Sequence, residues 1–201
     1  TAKLVADHLR ALGITVEEGV GFTGVVGVLT GARRGPTVAL RADMDALPVT
    51  ERTGLPFAST VTTTYNGQPA GVMHACGHDT HTAILMGVAS VLAGMRTELA
   101  GRVVFVFQPA EEGGTPPDGT PGFGGAAAML KTGFWERLGI DAIYGLHSWP
   151  GPVGTVSLRS GGLMASSDNW KVVVRGRQTH GAVPWGGVDP VVAGAAILTE
   201  L

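Results

Sequence analysis

One cysteine in 201 residues, Cys76, leaves no partner for an intramolecular disulfide and fits a reducing compartment, so a cytoplasmic location is expected. Charge is scarce: 15% of residues are charged, and 14 basic against 16 acidic side chains give a formal net charge of −2. No global basic field exists to hold nucleic acid. No apolar run approaches the roughly 18 residues that a membrane span needs. The chain also lacks a GxSxG nucleophile elbow, an HExxH zinc helix and a glycine-rich phosphate loop, which sets aside three common catalytic plans. What it does have is apolar bulk. Hydrophobic residues make up 44% of the chain, enough to bury a core, and its 32 glycines and 12 prolines follow no period.

Residues 1–13 place Leu4, Val5, His8, Leu9 and Leu12 at helical spacing before a glycine, which predicts an amphipathic helix. Short β-branched runs at 25–29 and 37–42 predict two strands around a polar turn, with Arg33 and Arg34 at a solvated tip. Residues 43–69 read mostly as loop, 80–94 as an apolar helix and 113–125 as a second loop. A further helix is predicted at 126–138. The runs at 103–107 (VVFVF) and 140–144 lack polar alternation, as strands buried on both faces of a parallel sheet do. Helices alternating with apolar strands predict an α/β fold with a doubly wound, mostly parallel sheet. The texture changes after a Gly/Ser cluster at 161–167, so 1–166 and 167–201 are read as two domains. The first residues form most of a helix with little before it, and a helix starting at Asp189-Pro190 stops at the last residue. The expectation is a piece of a longer protein.

The chemistry-bearing residues sit at repeated addresses. Strand 37–42 runs into Asp43-Met44-Asp45, strand 103–107 into Gln108-Pro109-Ala110-Glu111-Glu112, and strand 140–144 into Gly145-Leu146-His147. A fourth cluster, His74-Ala75-Cys76-Gly77-His78-Asp79-Thr80-His81, precedes a helix. Ligands of open α/β sheets bind outside the carboxyl ends of the strands, so these four addresses point to one convergent metal site. Cys76-x-His78 is too short for a structural zinc knuckle. With a carboxylate and another imidazole it makes a mixed N/O/S set for a zinc- or manganese-like ion. Of two adjacent glutamates leaving a strand, one can bind metal while the other acts as general base.

The segments GPTVALRADMDALPV, HACGHDTHTA, VVFVFQPAEEG and AIYGLHSWPG resemble the M20 peptidase family, and within it the aminoacylase, hippurate hydrolase and auxin-conjugate hydrolase branch. The resemblance covers nearly the whole chain in order. It implies a di-metal catalytic domain with an inserted α+β dimerisation, or lid, domain that starts near Ser167 and is cut short here. It further implies Cys76, His78, Glu112 and His147 as metal ligands and Glu111 as general base. Asp45 joins the catalytic group, and Asp43 and Asp79 support the ligands from behind. Two divalent ions are implied, Zn or Mn, with Co or Ni able to substitute. Another histidine ligand would lie in the part of such a domain that follows the present chain. His180, in RGRQTHGAVPWGGVDP, resembles the lid histidine that stabilises the oxyanion across a homodimer. Gln178-Thr179 and Trp185 depart from the small residues and second histidine usual around it.

The expected activity is hydrolysis of N-acyl amino acids or related small amides, with no nucleic-acid or membrane partner. Two other readings stay open at this level. Cys76 and His78 could be a nucleophile and its base, which leaves Glu111, Glu112 and His147 without a role. The chain could also be an incomplete, non-catalytic portion of such an enzyme. Simpler roles compete residue by residue: Asp79 as an ordinary helix cap, His74 and His81 as structural residues, His8 in surface packing.

Overall fold

The computed structural model describes residues 1–114, 124–166, 168 and 170–200, so most of the predicted 113–125 loop lies outside the described residues. The chain divides into two compact units, Thr1–Gly151 and Pro152–Leu201. The break falls ahead of the Gly/Ser cluster at 161–167.

The first unit carries α1 (Ala2–Ala11), β1 (Thr15–Val20), β2 (Gly24–Thr30), β3 (Arg33–Asp43), β4 (Thr62–Tyr65), β5 (Gln68–Gly71), α2 (His78–Gly94), β6 (Ala100–Gln108), α3 (Gly125–Leu130), α4 (Phe134–Leu138) and β7 (Ala142–Gly145). Five strands form one sheet in the order β1-β2-β6-β3-β7. The α/β fold is as expected, but the sheet is mixed. β6, β3 and β7 are parallel, whereas β1 and β2 form a hairpin that joins β6 antiparallel.

Both faces of the central strands are covered, which is why their sequences show no polar alternation. On one face Val25 and Leu29 of β2, Phe105 and Phe107 of β6 and Ala42 of β3 pack under Val5 and Leu9 of α1 and Leu85 and Ala89 of α2. On the other, Val26, Ala39, Val104 and Val106 meet Met129 of α3 and Phe134 of α4. His8 joins the two helices of the first face, its Nε2 lying 3.1 Å from both Met86 O and Ser90 Oγ.

Four local expectations are corrected. Strand β3 begins at Arg33, inside the predicted turn. The 43–69 loop runs into an antiparallel hairpin, β4–β5. The single helix at 126–138 is two short ones, divided at Gly133, whose φ of 71° no helix continues. Strand β7 is apolar yet lies at the sheet edge, with Ile143 and Tyr144 exposed.

The chain leaves β3, passes α2 on one face and returns as β6. It then passes α3 and α4 on the other face and returns as β7 on the opposite side of β3. β3 is therefore the strand at which the order reverses, the place where open sheets leave a crevice at their carboxyl ends. Asp43 is paired with Gln108, and Arg41 with Gly145, so all three parallel strands end together. A backbone bridge between Leu47 and Met73 draws the cysteine–histidine segment to the same end.

In the second unit, Arg177 and Val188 form an isolated antiparallel bridge and Pro184–Gly186 a short 3₁₀ turn. The helix α5 (Pro190–Glu200) is capped by Asp189, whose Oδ1 accepts from the Val191 N–H at 2.8 Å. No membrane-length apolar helix occurs among the described residues.

Two substitutions test this packing. Phe105 is fully buried, and Phe105→Ala should cost about 3–5 kcal/mol in urea unfolding, whereas a loss below about 1 kcal/mol would contradict its place in the core. Helix α2 starts from Gly77 with φ of 85°, and a Cβ there would run into Ser148 Oγ. Gly77→Ala should therefore lose about 1–3 kcal/mol, read as a lower thermal midpoint.

Candidate metal centre

The first turn of α2 lies against the end of β3. His78 and His81 are three residues apart and so share a helix face, and Asp43 and Asp45 face them. His78 Nδ1 is 3.0 Å from Asp45 O and 3.2 Å from Asp45 Oδ1. The carbonyl, and the carboxylate when ionised, can only accept, so Nδ1 carries a proton and, in the neutral ring, Nε2 is left with a bare lone pair. That Nε2 is buried and has no hydrogen-bond partner. Around it stand Asp43 Oδ2 at 3.7 Å, Glu111 Oε2 at 3.9 Å and Glu112 Oε1 at 4.0 Å. A lone pair facing three carboxylates is electrostatically unfavourable unless a cation lies between them.

His147 follows the same logic from the end of β7. Its Nδ1–H donates to Ser148 O at 2.7 Å, leaving the Nε2 lone pair 3.6 Å from Cys76 Sγ. Cys76, His78 and Glu112 thus bring S, N and O donors within 4.8 Å of one another, and Asp43, His78, His81 and His147 do the same beside them. The two groups meet at His78.

Asp45 ties two of these elements together, because its other oxygen accepts from the Glu112 N–H at 3.1 Å. Asp43 is fully buried. Burial alone would raise its pKa, but the hydrogen bond from His81 and the nearby Arg41, His78 and His81 hold the carboxyl below the usual range. Arg41 lies 2.8 Å from Asp43 Oδ2 and donates to Gln108 at 2.9 Å. The Oδ2 atom still lacks an aligned hydrogen bond.

Cys76 is pushed the other way. Its hydrogen bond to Glu112, then burial, then the charges of Glu112, Glu111 and Asp43 raise the thiol to about 11. An activated cysteine nucleophile needs the opposite shift, so the surroundings oppose the cysteine–histidine hydrolase reading. They suit a thiol whose proton is displaced by a cation, since a coordinating thiol is deprotonated by the metal itself.

Of the residues singled out in the sequence, Asp43, Asp45, Cys76, His78, Glu111, Glu112 and His147 meet at this one end of the sheet. Asp79 does not join them; it is exposed in the first turn of α2, where a carboxylate favours the helix dipole. His180 belongs to the second unit. Its Nδ1 accepts from the Ala182 N–H at 3.1 Å, which leaves the proton of the neutral ring on an exposed Nε2. Sequence reasoning passed over Ser148 entirely, because what it contributes is mainly a main-chain N–H and C=O.

The sequence profile of peptidase family M20/M25/M40 matches residues 39–197. A thermostable carboxypeptidase of Saccharolobus solfataricus is 47% identical over 95% of this chain and 45% of its own length. An N-acetyl-L-cysteine deacetylase of Bacillus subtilis is 40% identical over 100% of this chain and 44% of its own. Among solved structures, the Bacillus subtilis YXEP protein, described as a dinuclear metal binding peptidase from the M20 family, superposes with a TM-score of 0.66. It is 41% identical and covers 80% of this chain and 40% of its own. The chain therefore spans just under half the length of the curated relatives it matches. Its fold, its motifs in order and these matches make it a member of peptidase family M20/M25/M40.

Proposed function

We propose that this chain carries the metal-binding part of an amidohydrolase that cleaves N-acyl amino acids or related small amides with a metal-activated water. The observation that carries the reading is His78 Nε2, a buried lone pair with no hydrogen-bond partner and three carboxylates around it. In this reading Cys76, His78 and Glu112 hold one divalent ion. His147 holds a second, with Asp43 supporting the ligands from behind. The thiolate, imidazole and carboxylate set suits zinc, and manganese, cobalt or nickel by availability. When bound, such ions supply a water of lowered pKa and polarise the scissile carbonyl.

Glu111 is the base. Its side chain is 40% exposed, against 32% for Glu112, so it can meet a water while Glu112 stays on the ion. It takes a proton at its carboxylate and returns it to the departing amine. Asp45 holds the His78 tautomer and the Glu112 backbone in place. Residues 167–201 begin the lid, whose pairing would make the enzyme a homodimer, and the exposed Nε2–H of His180 would donate to the oxyanion from the partner subunit. The N-acetyl-L-cysteine deacetylase relative supports an N-acyl amino acid as the substrate.

Two experiments separate the roles. Cys76→Ala and His147→Ala should each lower the zinc or manganese content of the purified protein, and unchanged stoichiometry in both would remove them from the ligand set. Glu111→Gln should keep its metal while kcat for release of free amino acid from N-acetyl and N-benzoyl amino acids falls about 10²–10⁴-fold. Glu112→Gln should instead lose metal. The reverse pattern would exchange the two glutamates.

A further inference from the structure

We propose that His81 is a positioning residue and not a ligand: a neutral spacer that fixes His147 by tying the end of β3 to the loop after β7. It lies close enough to Asp43, His78 and His147 to belong to a metal-holding group, yet both of its nitrogens are engaged. The Ser148 N–H donates to Nε2 at 2.7 Å, and Ser148 Oγ lies 3.1 Å from the same atom. A main-chain amide can only donate, so the lone pair sits on Nε2 and the proton on Nδ1, which donates to Asp43 Oδ1 at 2.6 Å. The ring is 1% exposed. For Nε2 to turn to a metal, the Ser148 N–H would lose its acceptor and be left unpaired.

Ser148 then passes the constraint on. Its N–H holds His81, and its C=O accepts from His147 Nδ1–H at 2.7 Å. One peptide segment therefore links Asp43, His81, Ser148 and His147, and the His81 and His147 rings meet edge-on with centroids 4.5 Å apart. His78 and His81 start from the same histidine–aspartate pairing and end differently. The Nε2 of His78 has no hydrogen-bond partner, whereas the Nε2 of His81 is closed by a backbone donor.

The metal part of this proposal rests on the reading of the centre given above, whereas the tautomer and its hold on His147 can be read without metal. Nitrogen-15 spectra of the imidazoles in the metal-free protein should show His81 protonated at Nδ1 and accepting at Nε2, and a slowly exchanging Nδ1 proton on His147. Zinc addition should move the Nε2 signals of His78 and His147 and leave that of His81 in place. His81→Gln offers an amide whose N–H and C=O can replace the two ring nitrogens, whereas His81→Leu offers neither. The Gln variant should keep the His147 proton signal and bind Co²⁺ within a few-fold of the parent. The Leu variant should lose that signal and weaken Co²⁺ binding by about 10–100-fold, with Cys76, His78, Glu112 and His147 still present.

A metal-type shift at His81 Nε2 would overturn the proposal, as would a folded Leu variant with the parent's His147 signal and Co²⁺ affinity. Should the Leu variant not fold, the parent spectra and the Gln variant decide: a Gln variant that folds but loses the His147 signal also overturns it. A parent chain that takes up neither Zn²⁺ nor Co²⁺ refutes the metal reading instead, and the metal-free spectra still decide whether His81 fixes His147.

Discussion

Two histidine–aspartate pairs fasten the first turn of α2 to the end of β3, and the rest of the centre is arranged around them. Each pair protonates the near nitrogen of a ring and thereby decides what the far nitrogen can do. A tautomer is a discrete choice, and it is made here by groups that cannot donate in return. The consequence is an imidazole held rigid, with its far nitrogen aimed in a fixed direction before any ligand arrives. Such advance ordering lowers the cost of binding, because little side-chain freedom remains to be lost.

Charge balance gives the same site its chemistry. Four carboxylates, those of Asp43, Asp45, Glu111 and Glu112, stand around one buried imidazole, and Arg41 pairs with Asp43 alone of the four. Repulsion of this kind is tolerated at functional sites because a cation relieves it. The raised Cys76 thiol reports the same negative field from another direction. The mixed sheet serves this arrangement: β3, β6 and β7 must run parallel to bring their ends to one edge, while β1 and β2 carry none of the cluster and are free to run otherwise.

Much of the site was legible because its residues directly follow apolar runs. VVFVF announces β6, and the glutamates are the next polar side chains beyond Gln108; the same holds for Asp43 at the end of β3 and His147 after β7. The hairpin β4–β5 was not legible, since threonine, proline and glycine in a short stretch read as loop when pairing is the only stabilising feature. Strand β7 misled for a related reason. Its apolar sequence matches that of a buried strand, but sequence cannot distinguish a central position from an edge. Ser148 was invisible on principle, as main-chain donors have no letter of their own. His81 was seen only as structural, and its role becomes clear once Ser148 is placed beside it.

The order of these residues along the chain has a consequence for assembly. Asp43 and Cys76 emerge before His147, which follows only after more than a hundred further residues have separated it from β3, and the Thr37 N–H reaches Asp141 across 104 positions. Contacts that close so long a loop form late, because the entropy of closure must be met before they contribute. Cys76 and His78 can therefore come to the end of β3 before β7 has docked, whereas His147 joins them only afterwards. Within this unit the candidate centre thus closes only with the last of the sheet's strands in chain order.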